Sequence, residues 1–104
     1  MKVLLVDNHA LFREGLMKLL SSQPDISVIG EASDSWEAII ESRKLNPDLV
    51  IFELGNHWAD HLEALRRIKE ESADVKAIVL TMNEDEDILW QALKNGANGF
   101  LTMT

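Results

Sequence analysis

The sequence predicts an α/β fold: a doubly wound parallel sheet of five strands in the order 2-1-3-4-5. Three observations carry this. Short apolar runs of strand length alternate with longer stretches of helical spacing, four times over, and a last strand closes the pattern. Two of the runs, Val3–Val6 and Leu49–Leu54, are apolar at successive positions apart from Glu53, as strands covered on both faces are. Asn, Asp, Pro or Gly punctuate the runs, and consecutive parallel strands then need right-handed crossovers.

The first strand, Val3 to Val6, stops at Asp7-Asn8. A helix follows from His9 to Ser22, with Phe12, Leu16, Leu19 and Leu20 as its inward stripe, Arg13 facing mostly away and Asn8 as its cap. Pro24-Asp25 breaks the chain, and Ile26 to Ala32 reads as the second strand. Ser33 or Asp34 caps a second helix over Ser35 to Leu45, with Ala38, Ile39 and Leu45 inward. The third strand ends at Glu53, and a loop from Gly55 to Ala59 leads to a helix over Asp60 to Glu71 with Leu62, Leu65 and Ile68 inward. Val75 to Thr81 is the fourth strand. Asn83-Glu84-Asp85-Glu86-Asp87 opens a fourth helix, whose first turn its acids suit; the helix keeps Leu89, Ala92 and Leu93 inward and ends before Gly96. Gly99 to Thr102 is the fifth strand.

Composition narrows the function. One hundred and four residues, 46% of them hydrophobic, suffice for one domain with a real core, expected to span 1–104. A net charge of −8 is the wrong sign for binding nucleic acid directly. With no cysteine, disulfides and zinc thiolate sites are excluded. Met1 to Val6 reads as a strand rather than a leader, and no apolar stretch reaches the ~20 residues that span a bilayer, so a cytoplasmic chain with no membrane partner is expected.

A carboxylate at the end of a buried strand is costly without partners, which singles out Glu53. In the order 2-1-3-4-5 the first and third strands lie side by side at the switch point, where such sheets form their sites. Asp7 and Glu53 would then face one crevice, with Thr81 on the same rim.

The run Leu4-Leu5-Val6-Asp7-Asn8-His9-Ala10-Leu11-Phe12-Arg13-Glu14-Gly15-Leu16 resembles the opening of response-regulator receiver domains of the NarL/FixJ (LuxR-type output) subfamily. Pro47-Asp48-Leu49-Val50, Val79-Leu80-Thr81-Met82 and Gly96-Ala97-Asn98-Gly99-Phe100-Leu101 fit the same pattern. The resemblance implies a flavodoxin-like fold, no enzymatic activity of its own, a homodimer, a histidine kinase as phosphoryl donor, and DNA contact only through an output domain outside this chain. It implies a phospho-acceptor Asp where Glu53 stands, a second acidic metal ligand where Asn8 follows Asp7, and a Lys where Met103 stands; Thr81 and Phe100 match the switch pair. His9 follows the acidic pair as in relatives without a metal role there.

The departures make an atypical receiver, a pseudo-receiver. One anion and one cation are lost together from the signature set. Mg²⁺ wants near-ideal octahedral oxygen geometry, so with Asn8 neutral and Glu53 a methylene longer, binding through Asp7 and Glu53 is expected to be weak or absent, and no cofactor is expected. His57 and Trp58 replace small loop residues and are candidate lid residues; His57 and His61 are spaced for a metal only if both were helical. Trp90 is a candidate partner-face residue. The leading expectation is a phosphorylation-independent regulatory and dimerisation module of a helix-turn-helix transcription regulator. The alternatives are a small-molecule sensor with its ligand under the Trp58 loop, and a receiver still phosphorylated on Glu53. Receivers normally carry a fifth helix, absent here after the fifth strand; the Val50, Phe52 or Val79 side of the sheet is expected to lack its cover.

Overall fold

The structure, a computed structural model, describes residues 1–82 and 85–102. Its elements in order are β1 (Lys2–Val6), α1 (Ala10–Ser21), β2 (Ser27–Ala32), α2 (Ser35–Leu45), β3 (Leu49–Glu53), a 3-10 turn (Gly55–His57), α3 (Trp58–Glu71), β4 (Lys76–Thr81), α4 (Glu86–Lys94) and β5 (Gly99–Thr102). The five strands pair in parallel in the order β2-β1-β3-β4-β5, as expected.

Alternation along each strand divides the core in two. Leu4, Val6, Val50, Phe52, Ala77 and Val79 point to one face, where they meet Ala38 and Ile39 of α2, Leu62, Leu65 and Ile68 of α3, and Ile88 and Ala92 of α4. Val3, Leu5, Leu49, Ile51 and Leu80 point to the other face, where Phe12, Leu16, Met17 and Leu20 of α1 pack half-buried. The expectation that the Val50, Phe52 and Val79 side lacks cover is therefore reversed. That face carries three helices, and among the described residues α1 is the only helix on the opposite one. Residues two apart share a face, so the register β3↔β4 (Val50↔Ala77, Phe52↔Val79) decides this, not the apolar character of the strands.

Several local expectations shift. Leu19 is 70% exposed, and Met17 takes its place against the sheet. Arg13, expected outward, turns back to the sheet rim: its guanidinium donates to the Asp7 carbonyl oxygen at 2.5 Å and to Glu31 Oε1 at 3.0 Å. Asn8 does not cap α1; the N-cap is His9, with no side-chain bond. Asp34 caps α2 by accepting from the Glu37 amide at 2.7 Å. In α4 the buried pair is Ile88 and Ala92, while Leu93 is exposed. Asn83 and Glu84, at the expected opening of this helix, lie outside the described residues. Gly96, just past α4, takes φ +107°, as a residue ending a helix there requires.

Candidate functional site

Asp7 continues β1 and Glu53 ends β3; Val6 pairs with Phe52, so the two carboxylates leave the sheet side by side at its carboxyl rim. Both are buried, Asp7 at 2% and Glu53 at 6% exposure. Thr81, at the end of β4, is also buried. The Asp7 amide donates to the Ala32 carbonyl oxygen at 3.0 Å, which ties the pocket floor to β2.

The turn out of β1 folds back on the site. The His9 amide donates to Asp7 Oδ1 at 2.7 Å, a local Asx-type turn. This brings His9 Nδ1 to 3.7 Å from Asp7 Oδ1 and 3.7 Å from Glu53 Oε2, too far for hydrogen bonds but well within charge range. Asp7 Oδ2 and Glu53 Oε2 are both buried without a hydrogen-bond partner. Burial above all, and then the Asp7 carboxylate, hold the Glu53 carboxyl above its ordinary range; His9 and the Gly55 amide pull the other way. Gly55 takes φ +52°, and a Cβ there would meet Glu53 Oε2 at 3.3 Å, so glycine both makes the turn and leaves the longer side chain room.

The other expected site residues are more scattered. Asn8 is exposed at the rim. Phe100 is partly exposed on β5 opposite Val79, and Trp90 is exposed on α4. Met103, the position of the family Lys, lies outside the described residues. Trp58 is not in a loop: it opens α3 and packs half-buried against the core rather than lying free over the pocket. His57 is exposed in the preceding turn.

His61 departs furthest from expectation. It is 1% exposed, packs its ring 6.0 Å from that of Phe52, and bonds through Nδ1 to Ser35 Oγ at 2.8 Å, joining α3 to the start of α2. Its Nε2 has no partner. Burial first, then the nearby His57, hold the imidazole below its ordinary value, with Asp60 opposing. A signal for this was available: His61 lies four residues before Leu65 and seven before Ile68, on the apolar stripe of α3. Beside the acidic pocket, a groove of about 450 Å³ runs between α2 and α3, lined by Asn8, Asp34, Trp36, His57, His61 and Arg67 among others; neither Asp7 nor Glu53 lines it.

The sequence and its 2-1-3-4-5 sheet have counterparts among known proteins. The family model of the response regulator receiver domain matches residues 3–103. The chain belongs to that family. Transcriptional regulatory protein LiaR of Bacillus subtilis is 41% identical over 103 residues, covering 99% of this chain and 49% of the relative. Nitrate/nitrite response regulator protein NarL of Escherichia coli K12 is 36% identical over 99 residues, covering 95% of this chain and 46% of the relative. The receiver domain thus spans about half the length of the curated relatives it matches. Among solved structures, a LuxR-family two-component response regulator from Aurantimonas superposes with TM-score 0.90 at 31% identity, covering 97% of this chain and 72% of that one. The response regulator domain of Thermotoga maritima CheB superposes with TM-score 0.86 at 33% identity, covering 98% and 77%. The receiver domain is thus of the two-component, NarL/LuxR type. Among the described residues no helix is long and apolar enough to cross a membrane.

Proposed function

We propose that this is a pseudo-receiver: a regulatory module that does not depend on phosphorylation, acting as a dimer within a helix-turn-helix transcription regulator in the cytoplasm. The observation that carries the reading is the buried Glu53 carboxylate at the acceptor position, with one oxygen unpartnered beside Asp7. Phosphoryl transfer is catalysed by positioning and by charge on the equatorial oxygens. Asn8 is neutral where a second carboxylate would hold the metal, and Met103 offers no cation. Mg²⁺ therefore binds weakly or not at all, and Glu53 does not turn over phosphate from a histidine kinase. The domain has no enzymatic activity, and DNA is reached only through an output domain.

Glu53 instead stands in for part of an acyl phosphate. Its single charge is less than the roughly −1.5 to −2 of a phosphate. One hydrogen bond to a charged group contributes about 1.5–3 kcal/mol, against the ~5.5 kcal/mol that moves a switch from 1:99 to 99:1. Glu53 tilts the equilibrium without locking it. Titration with beryllofluoride and Mg²⁺ tests this. No saturable binding is expected, and no label from acetyl phosphate on Glu53; tight beryllofluoride binding by the wild-type chain would refute the reading.

A second reading, a small-molecule sensor, draws on the groove between α2 and α3, where the indole of Trp36 and the guanidinium of Arg67 lie 5.9 Å apart. The ligand would sit under His57 rather than under Trp58, which is packed against the core. A ligand-induced thermal shift that survives Trp58→Ala and is lost in Trp36→Ala would favour it.

A further inference from the structure

We propose that Asp7, His9 and Glu53 form a binding site for a divalent transition metal of the zinc type, in place of the hard magnesium ion. The proposal rests on the pseudo-receiver reading, because it needs a pocket that has lost its all-oxygen donor set.

Each of the three residues offers one ligand atom, and these atoms all lie within 4.8 Å of one another. Two of them contribute buried carboxylates with an oxygen, Asp7 Oδ2 and Glu53 Oε2, that no protein group satisfies. Such atoms are expensive to leave unsatisfied, and a cation beside His9 Nδ1 would satisfy Glu53 Oε2, the orphan oxygen that stands 3.7 Å from it. The third donor is an imidazole, and this decides the class of ion. Magnesium takes oxygen ligands, whereas imidazole with carboxylate suits zinc and its neighbours.

The spacing agrees. His9 Nδ1 stands 3.7 Å from Asp7 Oδ1 and 3.7 Å from Glu53 Oε2. Zinc bonds of about 2.0–2.2 Å in tetrahedral array place neighbouring donors roughly 3.3–3.6 Å apart. Octahedral magnesium at about 2.0–2.1 Å would need roughly 2.8–3.0 Å. The two edges to His9 therefore lie nearer the tetrahedral spacing than the octahedral one, and the edge between Asp7 and Glu53 is no longer than 4.8 Å. The extra methylene of Glu53 lets its carboxylate reach towards His9, and Gly55 leaves it space. His9 is 68% exposed in its side chain, so the ion has a route in and a fourth position open to water. A His9 ring that merely lies over the two acids uses the same distances but leaves Glu53 Oε2 unsatisfied.

The test is a zinc titration of the chain in competition with a chromophoric chelator, without magnesium, on wild type, His9→Ala, Glu53→Gln and His57→Ala. One zinc per chain is expected. Loss of an outer-shell partner alone weakens metal sites about 10–100-fold, so His9→Ala and Glu53→Gln should each weaken binding by at least ~10-fold. His57→Ala should bind as wild type. His9 is exposed, so its variant should fold, which unchanged circular dichroism would verify. Cobalt(II) in the wild-type site should show the visible spectrum of a tetrahedral ion, lost in His9→Ala. Zinc affinity unchanged in His9→Ala, or no stoichiometric zinc binding, would overturn the proposal while leaving the pseudo-receiver reading intact. Beryllofluoride binding in a separate magnesium titration would overturn that reading instead.

Discussion

Replacing Glu53 by glutamine should make the metal-free domain more stable at pH 8. The change keeps shape and volume and removes one of two buried negative charges. Ligand oxygens of Asp7 and Glu53 lie within 4.8 Å, so their repulsion is at least about 3.5 kcal/mol at an effective dielectric of 20, and about 0.9 kcal/mol in bulk water. The rim position and the nearby His9 place the gain between these, at roughly 1–3 kcal/mol. For a domain of this size, ~1 kcal/mol moves the unfolding midpoint by about 4–8 °C. The folded Glu53 carboxyl sits above its ordinary range, so the folded state holds that proton more tightly than the unfolded chain. Its favourable contribution is fully present below the ordinary carboxylate value and is lost as pH rises through the raised folded value. The advantage of Glu53→Gln should accordingly be least near pH 4 and greatest at pH 8. Thermal and urea unfolding with EDTA, at both pH values, measures it. A glutamine variant no more stable than wild type at pH 8 would refute the electrostatic account of the pocket.

Four further outcomes are expected. His61 is held neutral by burial, so stability should be fully present above about pH 6.5, the ordinary histidine value, and should fall as pH drops from there towards the lowered folded value. His61→Asn should flatten that part of a melting-temperature profile. Arg13→Ala removes the donors to the Asp7 carbonyl and to Glu31 and should cost roughly 1–2 kcal/mol in urea unfolding, discounted because the pair is partly solvated. Asp34→Ala deletes the cap of α2 and should cost ~1 kcal/mol by the same assay. Gly55→Ala forces a Cβ into the left-handed region, for about 1–2 kcal/mol, and against Glu53 Oε2, so Gly55→Ala/Glu53→Asp should recover part of the loss.

The order of strands and the identity of the rim residues were legible without coordinates. Five apolar runs of strand length, separated by helical spacing, leave few topologies, and Asp7 and Glu53 are polar interruptions at the ends of two of them. Which face of each strand carries which helix was not legible. A run such as Leu49–Phe52 is apolar on both sides, so hydrophobicity cannot distinguish Val50 from Ile51; pairing register does. The inward stripe of α1 is ambiguous at Leu19, which is exposed, for a similar reason. A helix with leucines on several sides offers more than one apolar stripe, and the packing of Phe12, Leu16, Met17 and Leu20 on the sheet, with Arg13 bonded to Asp7 and Glu31, selects one.

His61 shows the limit most clearly. One-dimensional spacing assigns it both to the apolar stripe of α3 and to a polar His57–His61 pair, and only Ser35, twenty-six positions away, decides between them by offering Nδ1 a partner. The amino-acid order by itself determined the fold, the family and the loss of the acidic and basic residues that phosphoryl chemistry uses. Tertiary structure alone decided that His9 returns over the two carboxylates while an oxygen of each stays without a partner. The physical reason is that periodicity is a local property of the chain, whereas desolvation and the distance between charges depend on segments that only folding brings together.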